Sequence, residues 1–436
     1  MSDSTLPPAT ERLRFRAVDR AAAAIQRTLA LDPARLATIF TRFDAAKVMA
    51  DAKAVDDDGP RNVGPLSGLL VSIKDLFDEA GEITTAGSRI LGGGRPALED
   101  AEAVRRLKVA GALPFGRTTM SEFAYSGVGL NPHFGDPGNA RDARRITGGS
   151  TSGGVLTVAP GLVDAALGSD TGGSVRIPAA LNGVCGYKPT HGLIPLTGAF
   201  PLSSTYDSIG PIARDMTICA RIHSVLSQTP MPAQHDRPLR LGVVRELFTD
   251  DMDEMVGPAF EDALRRLSDA GIVLEDASIE HLRSAGPANR VIVSSEAYPI
   301  HRDRLARLEE IGDARVLKRI RAAEGFAPGE EAAARAVRAK AASAFVAHDG
   351  GFDAFLAPTI PVVAPLIADV TADFDRLNAL MLRNPSVINF LDGCAASIPM
   401  GRPGDLPSGL TIFGPAGADA SVIAAALQIE TAMRPA

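Results

Sequence analysis

Between Gly148 and Thr190 the chain runs GGSTSGGVLTVAPGLVDAALGSDTGGSVRIPAALNGVCGYKPT, and this stretch constrains the fold more than any other. Two turns rich in glycine and hydroxyl residues, Gly148–Gly154 and Gly168–Ser174, flank an apolar segment. Glycine lets backbone approach a ligand and take positive φ without a Cβ clash. Clustered serines and threonines supply hydroxyls that act as nucleophiles, relays or turn formers. Taken singly, each turn reads as a structural loop. Placed at the two ends of one short apolar element, they predict a site built from both ends of it.

The rest of the chain frames that stretch. Residues 10–55 read as helices, with Pro33 in a first turn, and 56–60 as a polar loop. Leu69–Asp75 has strand length, and its alternation places Leu70, Ser72 and Lys74 on one face. Asp100–Ala110 is an amphipathic helix stopped by Gly111, and Ala112–Gly116 a short strand. Residues 127–147 read as a long surface loop, and Lys188–Gly192 and Asp207–Pro211 as breakers. Beyond them come a strand at 239–244, a helix at 258–270 and a strand at 272–274. A charged helical region fills 279–348, its charge read as a solvated face. Strands at 352–360, 397–400 and 410–413 precede a terminal helix at 420–432 with Asp419 as its N-cap.

Strands alternating with helices predict an α/β fold: a single large domain over 1–436, with a central mixed β-sheet covered by helices. Within it we expect N-terminal helices over 1–60, a catalytic core over 61–220 and a helical insertion or cap over 280–350.

A net charge of −7 argues against a nucleic-acid partner. No stretch approaches the roughly 18–20 apolar residues of a membrane span. Cys185, Cys219 and Cys394 lie far apart without ligand spacing, so we expect no disulfide framework, no zinc site and a cytoplasmic protein. We expect no metal and no cofactor.

Neither turn carries the spacing of a phosphate-binding loop or a dinucleotide fingerprint. The nucleophile elbow G-x-S-x-G is absent around Ser150 and Ser174. Two readings stay open: turns that are purely structural, and a serine nucleophile with lysine as base. Lysine serves where burial lowers its pKa, and Lys74 ends an apolar strand.

Three blocks in order resemble the amidase signature family of serine hydrolases: Val71–Asp75, Gly148–Ser150 and Gly168–Pro178. Gly116–Phe123, Lys188–Thr190, Asp207–Arg214, Ala357–Thr359 and Leu406–Leu410 extend the likeness from about residue 20 to the C-terminus. The resemblance implies Ser174 as the acylated nucleophile and Lys74 as the base. It makes Ser150 the bridging serine, on a cis peptide bond from Gly149. The N–H groups of Thr171, Gly172, Gly173 and Ser174 would form the oxyanion hole. Asp170 and Arg176 match family positions as supports of the catalytic turn, although Arg176 could instead grip a substrate carboxylate. Met120, Phe123 and Tyr125 are expected to line the substrate pocket. Ser72 is read as a core hydroxyl, Ser152 as a turn former or support hydroxyl, His191 as a structural or surface residue and Cys185 as core.

Thr151, Thr147 and Arg117 depart from the family pattern. Thr151 stands where Ser or Gly is usual, and its hydroxyl is expected to do little harm. Arg117 stands where Lys is frequent and is read as irrelevant to the chemistry. The function implied is hydrolysis of the C–N bond of a small carboxylic amide. Alternatives are the amidase component of a glutamine-dependent aminoacyl-tRNA amidotransferase and a ureido-amide, allophanate-like hydrolase. Asn389–Ala396 somewhat resembles the ureido enzymes, whereas Gly172 stands where allophanate hydrolases tend to have alanine. A non-catalytic binding protein is disfavoured by the intact Lys74, Ser150 and Ser174. A homodimer is common for such hydrolases, and nothing in the sequence decides for or against one.

Overall fold

The computed structural model describes residues 16–57, 64–233, 237–348, 350–402 and 404–434. The expected helical residues 10–15 and most of the 56–60 loop lie outside them. The N-terminal part is α1 (Ala17–Leu29), α2 (Pro33–Ile39), a short strand β1 (Phe40–Arg42) and α3 (Ala45–Asp57). Asp32 caps α2 by accepting from the N–H groups of Ala34 and Arg35, and Pro33 follows it where no N–H is needed. The strand β1 within this helical stretch is absent from the sequence reading.

There follow β2 (Leu70–Lys74), α4 (Glu102–Val109), β3 (Leu113–Thr118), α5 (Ser152–Val158), β4 (Ala165–Ser169) and α6 (Arg176–Asn182). The segment between the two glycine turns is therefore a helix and a strand, not one element. Next come β5 (Cys185–Lys188), β6 (Ile209–Ala213), α7 (Met216–Ser227), β7 (Arg240–Val244), α8 (Val256–Asp269) and β8 (Val273–Ala277). Helices fill the next region: α9 (Ala285–His301), α10 (Leu305–Ile311), α11 (Ala314–Arg321) and α12 (Glu330–Val346). The chain closes with β9 (Ala354–Pro358), α13 (Ile367–Ala372), α14 (Phe374–Phe390), β10 (Cys394–Pro399), β11 (Gly409–Gly414) and α15 (Asp419–Ala432).

Among the described residues these strands form one mixed sheet in the order β1-β3-β2-β4-β6-β5-β10-β11-β9-β7-β8. Most of its strands are buried on both faces, as expected of a sheet covered by helices. The strand β2 runs parallel to both β3 and β4, so the C-terminal ends of β2 and β4 lie together. Open α/β sheets place ligand sites at such ends.

Three expectations fail, each for a packing reason. Asp207–Pro211 is not a breaker, because Ile209–Ala213 pairs with β4 on one side and β5 on the other. Residues 127–147 do not run wholly on the surface: Val128, Leu130 and Ile146 are buried against Ile177, Leu181 and Met381. Asp419 does not cap α15; its carboxylate accepts from the Tyr187 hydroxyl and from the backbone and side chain of Thr190. Among the described residues no helix is long and apolar enough to cross a membrane.

Candidate active site

Lys74 ends β2 fully buried, and its Nζ donates to Ser150 Oγ at 2.7 Å and to Ser169 Oγ at 2.8 Å. Burial pulls its pKa from 10.5 down to about 7, although the charges of Asp170 and Asp207 oppose the shift. An amine with that pKa is substantially neutral near pH 7, as a base must be.

The two turns meet above this amine. The Gly149–Ser150 peptide bond is cis. The Thr151 N–H donates to the Ser174 carbonyl at 3.3 Å, joining the turn before α5 to the turn before α6. The Ser174 hydroxyl makes no hydrogen bond among the described residues and borders a cavity of about 960 Å³, a volume ordinary for a small-molecule site. The Ser150 and Ser174 hydroxyls are not hydrogen-bonded to each other in this structure, and such bonds often tighten only with substrate bound.

The turn before α6 is built on a fully buried ion pair. Arg176 Nε donates to Asp170 Oδ2 at 3.0 Å and Nη2 to Oδ1 at 2.9 Å. Burial alone would raise the Asp170 pKa, but the Arg176 charge and hydrogen bonds outweigh it and hold the carboxyl at about 2. The same carboxylate accepts from the N–H groups of Gly173 at 2.8 Å and Val175 at 3.2 Å. Gly173 sits at φ 130°, and a Cβ there would lie 2.7 Å from both Ile177 and Pro385.

Several expected roles change with this geometry. The Gly173 N–H is spent on Asp170, which leaves the N–H groups of Thr171, Gly172 and Ser174 without protein acceptors among the described residues. Thr171 and Gly172 border the cavity beside Ser174. Arg176 does not reach the cavity: its remaining donors go to the Pro385 carbonyl and the Asn389 side chain. Met120 and Phe123 are packed into the core and do not border the cavity, whereas Tyr125 does. The Thr151 hydroxyl is buried without a hydrogen-bond partner among the described residues. Arg117 grips Asp75, the residue after Lys74, with two donors at 2.9 and 2.6 Å, so it fixes the end of the strand that carries the amine.

Ser72 bonds Thr157 in the core, and the Cys185 thiol faces Glu430 at 3.3 Å, its pKa pushed well up by burial. Ser152 begins α5, and His191 sits in a turn outside the site.

Sequence reasoning gave Ser169 no role, yet it is the second hydroxyl on Lys74. It also missed Asp207, which accepts from the Thr171 hydroxyl at 2.5 Å and from the N–H groups of Leu202 and Ser203. The signal for Ser169 was its place at the end of an apolar strand, the same position Lys74 occupies on its own strand. No local motif marks the cavity residues on α9, α11 and α14.

The sequence profile of the amidase family matches residues 21–423. The chain is 32% identical over 452 residues to a 2-amino-5-chloromuconic acid deaminase of Comamonas testosteroni, covering 99% of this chain and 96% of that protein. It is also 32% identical over 459 residues to the A-type subunit of the glutamyl-tRNA(Gln) amidotransferase of Acidothermus cellulolyticus, covering 94% and 90%. A crystal structure of an amidase superposes with a TM-score of 0.88 at 29% identity, over 97% of this chain and 98% of that one. The chain belongs to the amidase signature family, hydrolases that act on C–N bonds.

Proposed function

We propose that the protein hydrolyses the C–N bond of a small carboxylic amide through an acyl-Ser174 intermediate. The observation that carries this reading is the fully buried Lys74 amine, with a pKa near 7 and two serine hydroxyls within hydrogen-bond reach. In the first half-reaction neutral Lys74 takes the Ser150 proton as Ser150 takes that of Ser174. Ser174 Oγ attacks the amide carbon, and the carbonyl π pair moves to oxygen, stabilised by N–H groups of the turn. That oxyanion collapses, the C–N bond breaks, and the relay returns the proton to the departing nitrogen. In the second half-reaction water gives a proton to the same relay and attacks the acyl carbon. Ser174 leaves with the proton restored, and the carboxylic acid departs, giving its remaining proton to solvent to become the carboxylate. Lys74, Ser150 and Ser174 carry every other proton moved in this sequence.

The relay requires the Ser174 hydroxyl to turn toward Ser150. The donors to the oxyanion are those of Thr171, Gly172 and Ser174, whose hydrogens are unspent. Loss of one donor of this kind typically slows a reaction about 10²- to 10³-fold. A cytoplasmic location belongs to the same reading, supported by three free, buried cysteines.

The test is a fluorophosphonate label with an amide panel read by ammonia or amine release. Labelling at Ser174, and loss of both label and turnover in Ser174→Ala, is the expected result. Turnover in Ser174→Ala equal to wild type would remove the proposal. The likeness to the amidotransferase component favours one second reading, in which the acyl donor is glutamine and a partner protein takes the ammonia. Efficient hydrolysis by the isolated chain without a partner tells against it.

A further inference from the structure

Arginines dominate the charge on the cavity wall: five of them border it, against Asp251 and Asp375. Three of the five are matched by carboxylates. Arg283 pairs with Asp250 at 2.8 Å, Arg376 with Asp373 at 2.5 Å, and Arg383 lies 3.7 Å from Asp251. Asp375 is taken by Lys318 at 2.6 Å. Arg290 and Arg319 form no ion pair with a carboxylate among the described residues. Arg290 is exposed and lies over the Phe326 ring.

Arg319 is a built group. Its guanidinium stacks over the Tyr125 ring at 4.4 Å, and Nη1 donates to the Tyr125 carbonyl at 2.8 Å. The Tyr125 hydroxyl is itself held by Ser294 at 2.9 Å. The helix that carries Arg319 is tied to the core, because the Asp313 N–H donates to buried Glu122 at 2.6 Å. With Nη1 occupied, Nε and Nη2 have no protein acceptor among the described residues, and neither is among the buried atoms left without a partner. Those two atoms form the edge of a guanidinium that takes a carboxylate through two parallel hydrogen bonds.

Building on the amidase reading above, we infer that the substrate carries a carboxylate remote from its scissile amide, and that Arg319 receives it through Nε and Nη2. The substrate class is then the half-amide of a dicarboxylic acid or a similar amide acid. Arg290 adds positive charge without a fixed contact. Arg319 selects the substrate and has no part in the proton relay.

The experiment compares kcat/KM for succinamate and glutaramate with that for uncharged butyramide, in wild type, Arg319→Gln and Arg319→Lys. Wild type is expected to favour the acids at least about 10-fold. The preference should fall about 10- to 100-fold in Arg319→Gln, through KM, since hydrogen bonds to charged groups carry that range. Arg319→Lys keeps charge without the fork and should recover part of the preference. Glutarate should slow fluorophosphonate labelling of Ser174 in wild type and do so less in Arg319→Gln, a readout that needs no turnover. Butyramide hydrolysed as well as the acids by wild type, or an acid preference that survives Arg319→Gln, overturns the inference and leaves the amidase reading standing. Absence of both Ser174 labelling and turnover would take down the amidase reading, and this inference with it. If Arg319→Gln does not fold, the wild-type preference and glutarate protection decide alone.

Discussion

Lys74 and Ser169 end neighbouring parallel strands at the same edge of the sheet, and the lysine amine donates to the serine hydroxyl at 2.8 Å. The proposed base thus has two hydroxyl neighbours, Ser150 on the turn before α5 and Ser169 on its own sheet. Removing Ser169 deprives the charged amine of an acceptor and favours the neutral form. In Ser169→Ala the acid limb of kcat/KM should move to lower pH than in wild type, with a rate loss of about tenfold or less. A pH–rate profile of both proteins checks this, and an unmoved limb would show that Ser169 does not tune the base.

Wild-type kcat/KM should rise as pH passes through about 7 and then level, as Lys74 loses its proton. An acid limb centred near the ordinary carboxylate range would instead assign the base to Asp or Glu.

The same depressed pKa has a cost in stability. The folded pKa lies below the unfolded value of 10.5, so below about 7 the chain folds with a buried ammonium. That penalty shrinks as pH rises from about 7 and is gone above 10.5. Lys74→Met should therefore raise Tm, most at about pH 6 and least near pH 10.5, while ending activity. Thermal melts across that pH range give the answer, and a gain that grows with pH would contradict the sign.

Arg176 is the buried ion-pair partner of Asp170 and does not border the cavity. Arg176→Ala leaves a buried carboxylate unpaired and should cost about 3–5 kcal/mol of stability. Denaturant unfolding measures it. A stable variant with a raised KM for anionic amides alone would reinstate Arg176 as a substrate contact.

Gly173→Ala forces a Cβ into Ile177 and Pro385 at a φ that L-residues avoid. The displaced turn should misplace its neighbouring donors and lower kcat about 10²- to 10³-fold. Single-turnover acylation isolates that step, and an unchanged acylation rate would mean the turn tolerates the shift.

Residues whose chemistry and period agree were legible in the sequence. Leu70–Lys74 shows a strand with lysine at its end, Glu102–Val109 an amphipathic helix, and the two glycine turns the places where backbone must bend. What escaped depends on neighbours far along the chain. Gly210 and Pro211 read as a break, yet Gly210 is small because a Cβ there would lie 1.9 Å from the Tyr187 carbonyl on β5. Ser169 gained its role only when β4 paired with β2, and Arg319 looked like one charge among many until its helix came to rest on Tyr125. Arg176 carried two readings because a guanidinium near the nucleophile in sequence suits both a substrate carboxylate and Asp170, and only burial separates them.

The helices α9 to α12 leave the sheet after β8 and re-enter it at β9, and these two strands flank β7. The excursion begins and ends on two neighbours of one strand, away from β2 and β4. Its helices supply part of the cavity wall, while the lysine and both glycine turns are carried by β2, β4 and the segments leading into α5 and α6. In such an architecture the chain writes the cavity wall and the lysine-bearing strand in separate stretches, with α9, α11 and α14 all contributing to the wall.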